Sequence, residues 1–314
     1  MCAALPPERK ASFRPTPRNH GIVTRLNHVI VTATDAGHAG FVLNHWLPSL
    51  LANVNLDGID IVVLDYGLQN AQRATLEEQD VICYQAEKDA HVTSIRYRDM
   101  ARFLTEHNCD QVLAVDGGDV LFQSDISHLF EEHKTEFRAA CEDVSVPLHD
   151  LIIPRDDFTP QQYRDISRFL RGTRNINSGV IFGPAARVRA LWDEFTGLCR
   201  STNVHLTDQL LINYIFYRDG FHLLDSRYNF VTSTTRAPFH IRNGVFYDKE
   251  NRIIPVVHNA GITKKFRCVD NFGYGPGYNR KKRVTLLLLH MLYAAIAIGR
   301  KLRVPRGPSD SSAE

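Results

Sequence analysis

The stretch Gln111-Val-Leu-Ala-Val-Asp-Gly-Gly-Asp-Val-Leu-Phe-Gln-Ser-Asp125 decides how the rest of the chain is read. Gln111 to Val115 is a short run of branched apolar residues, the pattern of a buried strand. It ends on two carboxylates, Asp116 and Asp119, separated by Gly117 and Gly118. The glycines let the backbone turn sharply and approach a ligand closely. Two ionised acids this near repel each other, and a cation between them removes the repulsion. In open α/β sheets the ligand crevice lies at the carboxyl ends of the strands, where these acids would stand. A solvated turn uses the same residue types, so the remainder of the chain has to separate the two readings.

Upstream, His28–Thr34, Ile59–Asp65 and Val81–Tyr84 are further strand runs. Helices are expected between them, through about Leu51, over Gln69–Glu78 and over Thr93–His107. This alternation predicts right-handed βαβ crossovers and a mostly parallel, twisted sheet flanked by helices. Downstream, Asp125–Phe130 is a short helix and Glu136–Cys141 a strand. Thr159-Pro160 has the cap-then-proline form of a helix start. Asn177–Gly183 is a strand, Pro184 starts a helix, and Thr207-Asp208 opens another over 207–219 with two reasonable N-caps. Residues 239–257 are hairpin material with turns at Asn243-Gly244 and Lys249–Asn251, and Val256–His258 is a last strand. No repeat and no clean linker interrupts this order, which predicts one domain over 26–279.

At 314 residues, 44% apolar and 23% charged, the chain has ample material for a core. The six cysteines are scattered without metal spacing and read as buried free thiols of a reducing compartment. The first ten residues lack the apolar core of a secretory signal, so a cytoplasmic protein is expected. The net charge of +2 hides a segregation: residues 1–25 carry +4, 280–306 hold eight basic residues and no acid, and 26–279 carry −8. An acidic body argues against a nucleic-acid groove, while basic ends suit an anionic surface.

Several other positions carry polar chemistry at predicted strand ends. Asp35 follows the first strand, where it could bind a nucleobase or ribose or simply cap the next helix. Asp208-Gln209 presents a carboxylate and an amide together, again with capping as the alternative. Asn177 and Ser178 precede a strand, where capping explains less. His258 would share the acids' sheet edge, and Lys264 could neutralise a diphosphate. Neither common Gly-rich phosphate loop is present, so a nucleotide would have to be held by metal, lysine and arginine.

Taken together, these positions resemble glycosyltransferase family 8, whose members are retaining transferases of GT-A, Rossmann-like α/β fold using a UDP-sugar and a divalent metal. The likeness runs from His28 to Lys265. Ala33-Thr34-Asp35 looks like the family's nucleotide-binding entry, Val63–Gly67 like its second strand and turn, and Ser94–Arg98 like the helix whose arginine reaches the diphosphate. Asn177-Ser-Gly is similar to its "Asn-small-Gly" strand and Asp208-Gln209 to its pair near the transferred sugar. His258-Asn-Ala-Gly261 with Lys264 looks like the closing metal-histidine and phosphate-lysine segment. The resemblance implies Mn²⁺ or Mg²⁺ on Asp116, Asp119 and His258. Thr34, Asp35, Arg98, Asp116, Gly261 and Lys264 would hold the nucleotide-sugar, and Asp208, Gln209 and Asn177 the sugar. Hexose would then pass to a glycan or lipid-linked saccharide. Two departures stand out. The family has one residue between its aspartates and this chain has two, so either both acids reach the metal through a bulged turn or only Asp119 does. Arg96, Arg98 and Arg102 all lie near the arginine position.

Residues 284–298 form an apolar run of about 15 residues with basic flanks, roughly 22 Å as a helix and too short to span a hydrocarbon layer of ~30 Å. A helix over 280–306 attached to the inner face of the cell membrane is expected, with a core or oligomer-contact helix as the rival. Residues 1–25 and 307–314 are expected to be poorly ordered. The rivals to a transferase are a sugar nucleotidyltransferase, which would need a triphosphate loop, and a non-catalytic nucleotide-sugar-binding module at the membrane.

Overall fold

The branched apolar runs become strands in the computed structural model, which describes residues 28–143, 157–203, 206–261, 267–282 and four helical positions at 291, 294, 295 and 298. Strands β1 (His28–Thr34), β2 (Ile59–Asp65), β3 (Ile82–Gln85) and β4 (Gln111–Val115) run parallel in the order β3-β2-β1-β4. Their residues alternate between two apolar layers. Val29, Val31, Val62 and Leu64 meet Ile95, Met100 and Phe103 of the Val92–Glu106 helix. Ile30, Ile61 and Val63 meet Val42, Trp46 and Leu50 on the other side. Both faces are covered, which is why these strands are nearly all apolar instead of alternating with polar residues. Each fully buried Val, Leu or Phe contributes roughly 1.5–3 kcal/mol over an exposed one.

The other half of the sheet is antiparallel where it joins. Strand β7 (Ile176–Pro184) runs antiparallel to β4 and to β6 (Phe137–Cys141), and β8 (Phe221–Leu223) pairs parallel with β6 at the edge. A second, three-stranded sheet has the order β5-β12-β9, made of Val120–Phe122, Val256–His258 and Phe230–Val231. The chain leaves the main sheet after Val115, turns through Asp116–Asp119 and enters the small sheet at Val120. The acidic corner is therefore the joint between the two sheets. Gly117 packs so closely there that a Cβ would lie 2.5 Å from Thr32 Oγ1, whereas Gly118 faces open space.

Local expectations differ in places. Asp125–Phe130 contains a single 3₁₀ turn, Ser127–Phe130. The first helix has a π-helical stretch, Val42–Trp46, between Ala39–Phe41 and Leu47–Asn53. The hairpin of β10 (Phe239–Arg242) and β11 (Val245–Asp248) turns through Asn243 and Gly244, both at positive φ (51° and 81°), the two-residue turn that matches strand twist. Thr159 caps the Pro160–Phe169 helix in a reciprocal box with Gln162. Cys109, Cys141, Cys199 and Cys268 are buried free thiols and Cys83 is half-buried. The basic run at 280 begins inside the fold: Arg280–Lys281 form β14, antiparallel to β13 (Val269–Asp270). Lys281 lies 3.8 Å over the Phe239 ring and donates to Phe239 O, and Lys282 pairs with Asp270 at 2.8 Å. Most of the expected C-terminal helix, the terminal arms and Lys264 fall outside the described residues. Among the described residues no helix is long and apolar enough to cross a membrane.

Candidate active site

Strand pairing places the histidine. Val120 sits opposite His258 in the β5–β12 ladder, and Asn259 N donates to Asp119 O at 2.8 Å. His258 Nε2 lies 3.2 Å from Asp119 Oδ1 and 3.7 Å from Asp116 Oδ2. The three donor atoms fall within 4.8 Å of one another. The two-glycine spacing thus turns both carboxylates toward the imidazole.

Each acid has its other oxygen held by an arginine. Arg96 Nη1 donates to Asp116 Oδ1 in a very short contact, and Arg267 Nη2 donates to Asp119 Oδ2 at 2.8 Å. One oxygen of each carboxylate is left directed at His258. On the far side of the ring, Nδ1 faces Asn229 Oδ1 at 3.0 Å. Asn229 Nδ2 donates to Asn177 Oδ1 at 3.0 Å, which leaves its oxygen as the acceptor for the ring. A histidine so held carries hydrogen on Nδ1 and offers Nε2 as a ligand. Burial works against the Asp119 charge, but His258, then Arg267 and Arg96, outweigh it and lower its pKa. Burial likewise pulls His258 down, yet Asp119 and Asp116 push it above its ordinary value. Two carboxylate oxygens and one imidazole nitrogen, each oriented by a second partner, suit a divalent ion of the Mn²⁺ or Mg²⁺ class.

Arg96, not Arg98, stands at the acids. The two are two residues apart on one helix and so point to opposite sides. Arg98 is bound to Asp89 at 2.6 Å and to Asp99 at 3.0 Å, away from the corner. Arg96 Nη2 also lies 3.5 Å from Asp208 Oδ2. Asp208 does not cap its helix: the N-cap is Leu206, at φ 77°, and the Asp208 side chain is buried beside Ser178 Oγ at 3.4 Å. Gln209 accepts from Ser178 N at 2.9 Å and Ser178 Oγ at 2.7 Å and donates to Ile176 O, so its amide grips β7. Asn177 donates to Glu142 and accepts from Gly179 N at 2.9 Å. Burial raises the Glu142 pKa despite hydrogen bonds from Asn177 and Asn175.

Thr34 and Asp35 close β1 on the same rim. Asp35 is tied to Lys88 Nζ and His38 Nδ1, both at 2.7 Å. Burial opposes its charge, but those hydrogen bonds hold the carboxyl down at about 2. Gly261 follows the histidine strand as the last described residue before Arg267.

No protein-family model matches the sequence, and no curated protein matches it. Solved structures do match in shape. An active-site mutant of LgtC superposes with a TM-score of 0.53 at 18% identity, over 85% of this chain and 95% of that one. The bifunctional glycosyltransferase WbbM gives 0.53 at 13% identity, over 78% and 48%. GlyE, a glycosyltransferase of Streptococcus pneumoniae TIGR4, gives 0.51 at 18% identity, over 92% and 66%. The chain has the fold of these glycosyltransferases. The expected GT-A-like architecture, with its mainly parallel sheet flanked by helices, is what the structure shows.

Within this glycosyltransferase fold, Asn229, Arg267 and Glu142 are site neighbours that sequence reasoning did not single out. Asn229 closes a 3₁₀ turn, Ser226–Asn229, and Arg267 lies in a loop. Neither position has a periodicity or motif to mark it. The signal that could have found Glu142 is its place directly after a strand, at the same level as Asn177.

Proposed function

We propose that the chain is a metal-dependent retaining glycosyltransferase that moves a hexose from a UDP-sugar to a glycan or glycolipid acceptor. The supporting observation is the convergence of Asp116, Asp119 and His258 at the joint of the two sheets, with Arg96 and Asp208 beside them. A divalent ion bound there supplies positive charge to the diphosphate as it leaves. Arg96 adds fixed charge to the same group, and Lys264 is assigned to it from the sequence. Asp208 and Asn177 face the sugar, with Gln209 holding the Asn177 strand through Ser178. Asp35, at the head of the sheet, takes the uridine.

A front-face displacement fits this arrangement. The bond between the anomeric carbon and the diphosphate oxygen breaks, the acceptor oxygen bonds to that carbon on the same face, and the acceptor proton passes to the departing phosphate. Asp208 lies 3.5 Å from Arg96 and Glu142 accepts from Asn177, so each carboxylate already has a protein partner in this arrangement. UDP release with added Mn²⁺ tests the reading. Asp119→Ala and His258→Ala should each lower turnover about a thousandfold and remove metal-dependent UDP binding. Undiminished turnover in both variants would reject it.

A further inference from the structure

A second cluster of ligating side chains lies at the opposite edge of the main sheet from β3. His133, Glu136 and His222 bring two imidazoles and a carboxylate together, with one donor atom from each within 4.8 Å of the others. His133 Nδ1 is 3.1 Å from Glu136 Oε2, and the His133 and His222 rings stack with centroids 3.4 Å apart. The residues come from two separate segments. His133 and Glu136 belong to the turn before β6, closed by Glu136 N donating to His133 O at 3.0 Å. His222 is the middle residue of β8, the last strand in the sheet order, opposite Arg138. His133 adopts φ 45°, an uncommon conformation for a residue with a side chain. The three side chains are solvent-accessible to half-buried and belong to none of the apolar core clusters.

We propose that His133, Glu136 and His222 form a divalent metal site of the zinc class that clips edge strand β8 to the turn preceding β6. Two imidazoles and one carboxylate are a zinc donor set and leave a position for water. The acid corner, with two carboxylates and one imidazole, is the more oxygen-rich site and suits Mn²⁺ or Mg²⁺. Stacked rings hold their lone pairs side by side, so binding requires one exposed ring to change rotamer, a small cost at a surface. In return the ion crosslinks a three-residue edge strand that, among the described residues, pairs on one side only.

The test uses the full chain with Asp119→Ala to silence the other site, titrated with Zn²⁺ and, for its visible absorption, Co²⁺. One equivalent should bind, with a rise in melting temperature. Adding His222→Ala or His133→Ala should weaken zinc binding about a hundredfold and abolish the thermal shift. His222→Gln, at an edge position, provides a second variant, with circular dichroism confirming that it is folded. The inference is overturned if the Asp119→Ala protein takes up no zinc below millimolar concentration. It is equally overturned if folded His222→Gln protein binds zinc as tightly as its parent. Neither result depends on whether the chain transfers sugar.

Discussion

Asp65 and Asp116 occupy equivalent places, one at the end of β2 and the other just past β4, on either side of β1 at the same rim. Their surroundings are opposite. Asp65 is 1% exposed and fully used: Oδ1 accepts from Gly67 N at 2.9 Å and Leu68 N at 2.6 Å, and Oδ2 from Arg73 Nε at 2.8 Å and Nη2 at 2.6 Å. Asp116 is 33% exposed, with one oxygen on Arg96 and the other 3.7 Å from an imidazole. A strand-end carboxylate becomes a candidate ligand when the fold leaves one of its oxygens uncommitted. Position in the sheet alone does not make it one.

The strongest way to break this contrast is to remove each acid. Asp116→Ala should lower metal-dependent turnover about a thousandfold, near 4 kcal/mol, with a smaller loss of thermal stability than at Asp65, because the buried Arg96 keeps Asp208 at 3.5 Å and Ser178 O at 3.3 Å. Asp65→Ala should do the reverse, costing about 3 kcal/mol of stability through its unpaired partners while folded protein keeps its turnover. Burial works against the Asp65 charge, but Leu68 N, Arg73 and Gly67 N outweigh it, and its pKa is lowered. Its contribution is therefore complete above the ordinary aspartate value and is lost as pH falls through the lower folded one. Acid titration of Asp65→Asn should show a shallower loss of stability over that range than wild type.

Gly179→Ala sharpens the contrast without touching a charge. A Cβ there would fall 2.3 Å from His258 Cε1, 2.8 Å from Asp116 Oδ2 and 2.9 Å from Asn177 Oδ1. Overpacking should cost about 1–3 kcal/mol, and calorimetry should show weaker Mn²⁺–UDP binding, with Asp65 unaffected. The smallest effect belongs to Arg267→Met. Freeing Asp119 Oδ2 and removing a nearby positive charge should tighten Mn²⁺ binding without nucleotide about five- to tenfold, near 1 kcal/mol. Unchanged or weaker binding in that variant would mean that Arg267 orients Asp119 more than it competes for it.

Much of the frame was legible because branched runs with both faces covered have few alternatives. Strands β1, β2 and β12 and the helix at 207–219 have the bounds expected from pattern alone. The candidate site was legible where a residue type is rare at its place, as with the paired acids at Gly117-Gly118, which the fold brings beside His258. It was not legible where two candidates sit on one helix: Arg96 and Arg98 differ only in which side of the Val92–Glu106 helix meets the corner, and that depends on tertiary packing. Asp208 was ambiguous with a cap until Leu206 took a left-handed backbone and turned it inward. Asn229 and Arg267 act by reaching across chain separations of 29 and 148 residues to His258 and Asp119, and local sequence holds no trace of such partners.

Asn229 has one amide group serving two neighbours, its oxygen facing the His258 ring and its nitrogen holding Asn177. The two residues consequently cannot be retuned one at a time. An engineer who replaces Asn177 will also tilt the imidazole, and selections that start from a changed position 177 should return compensating changes at position 229.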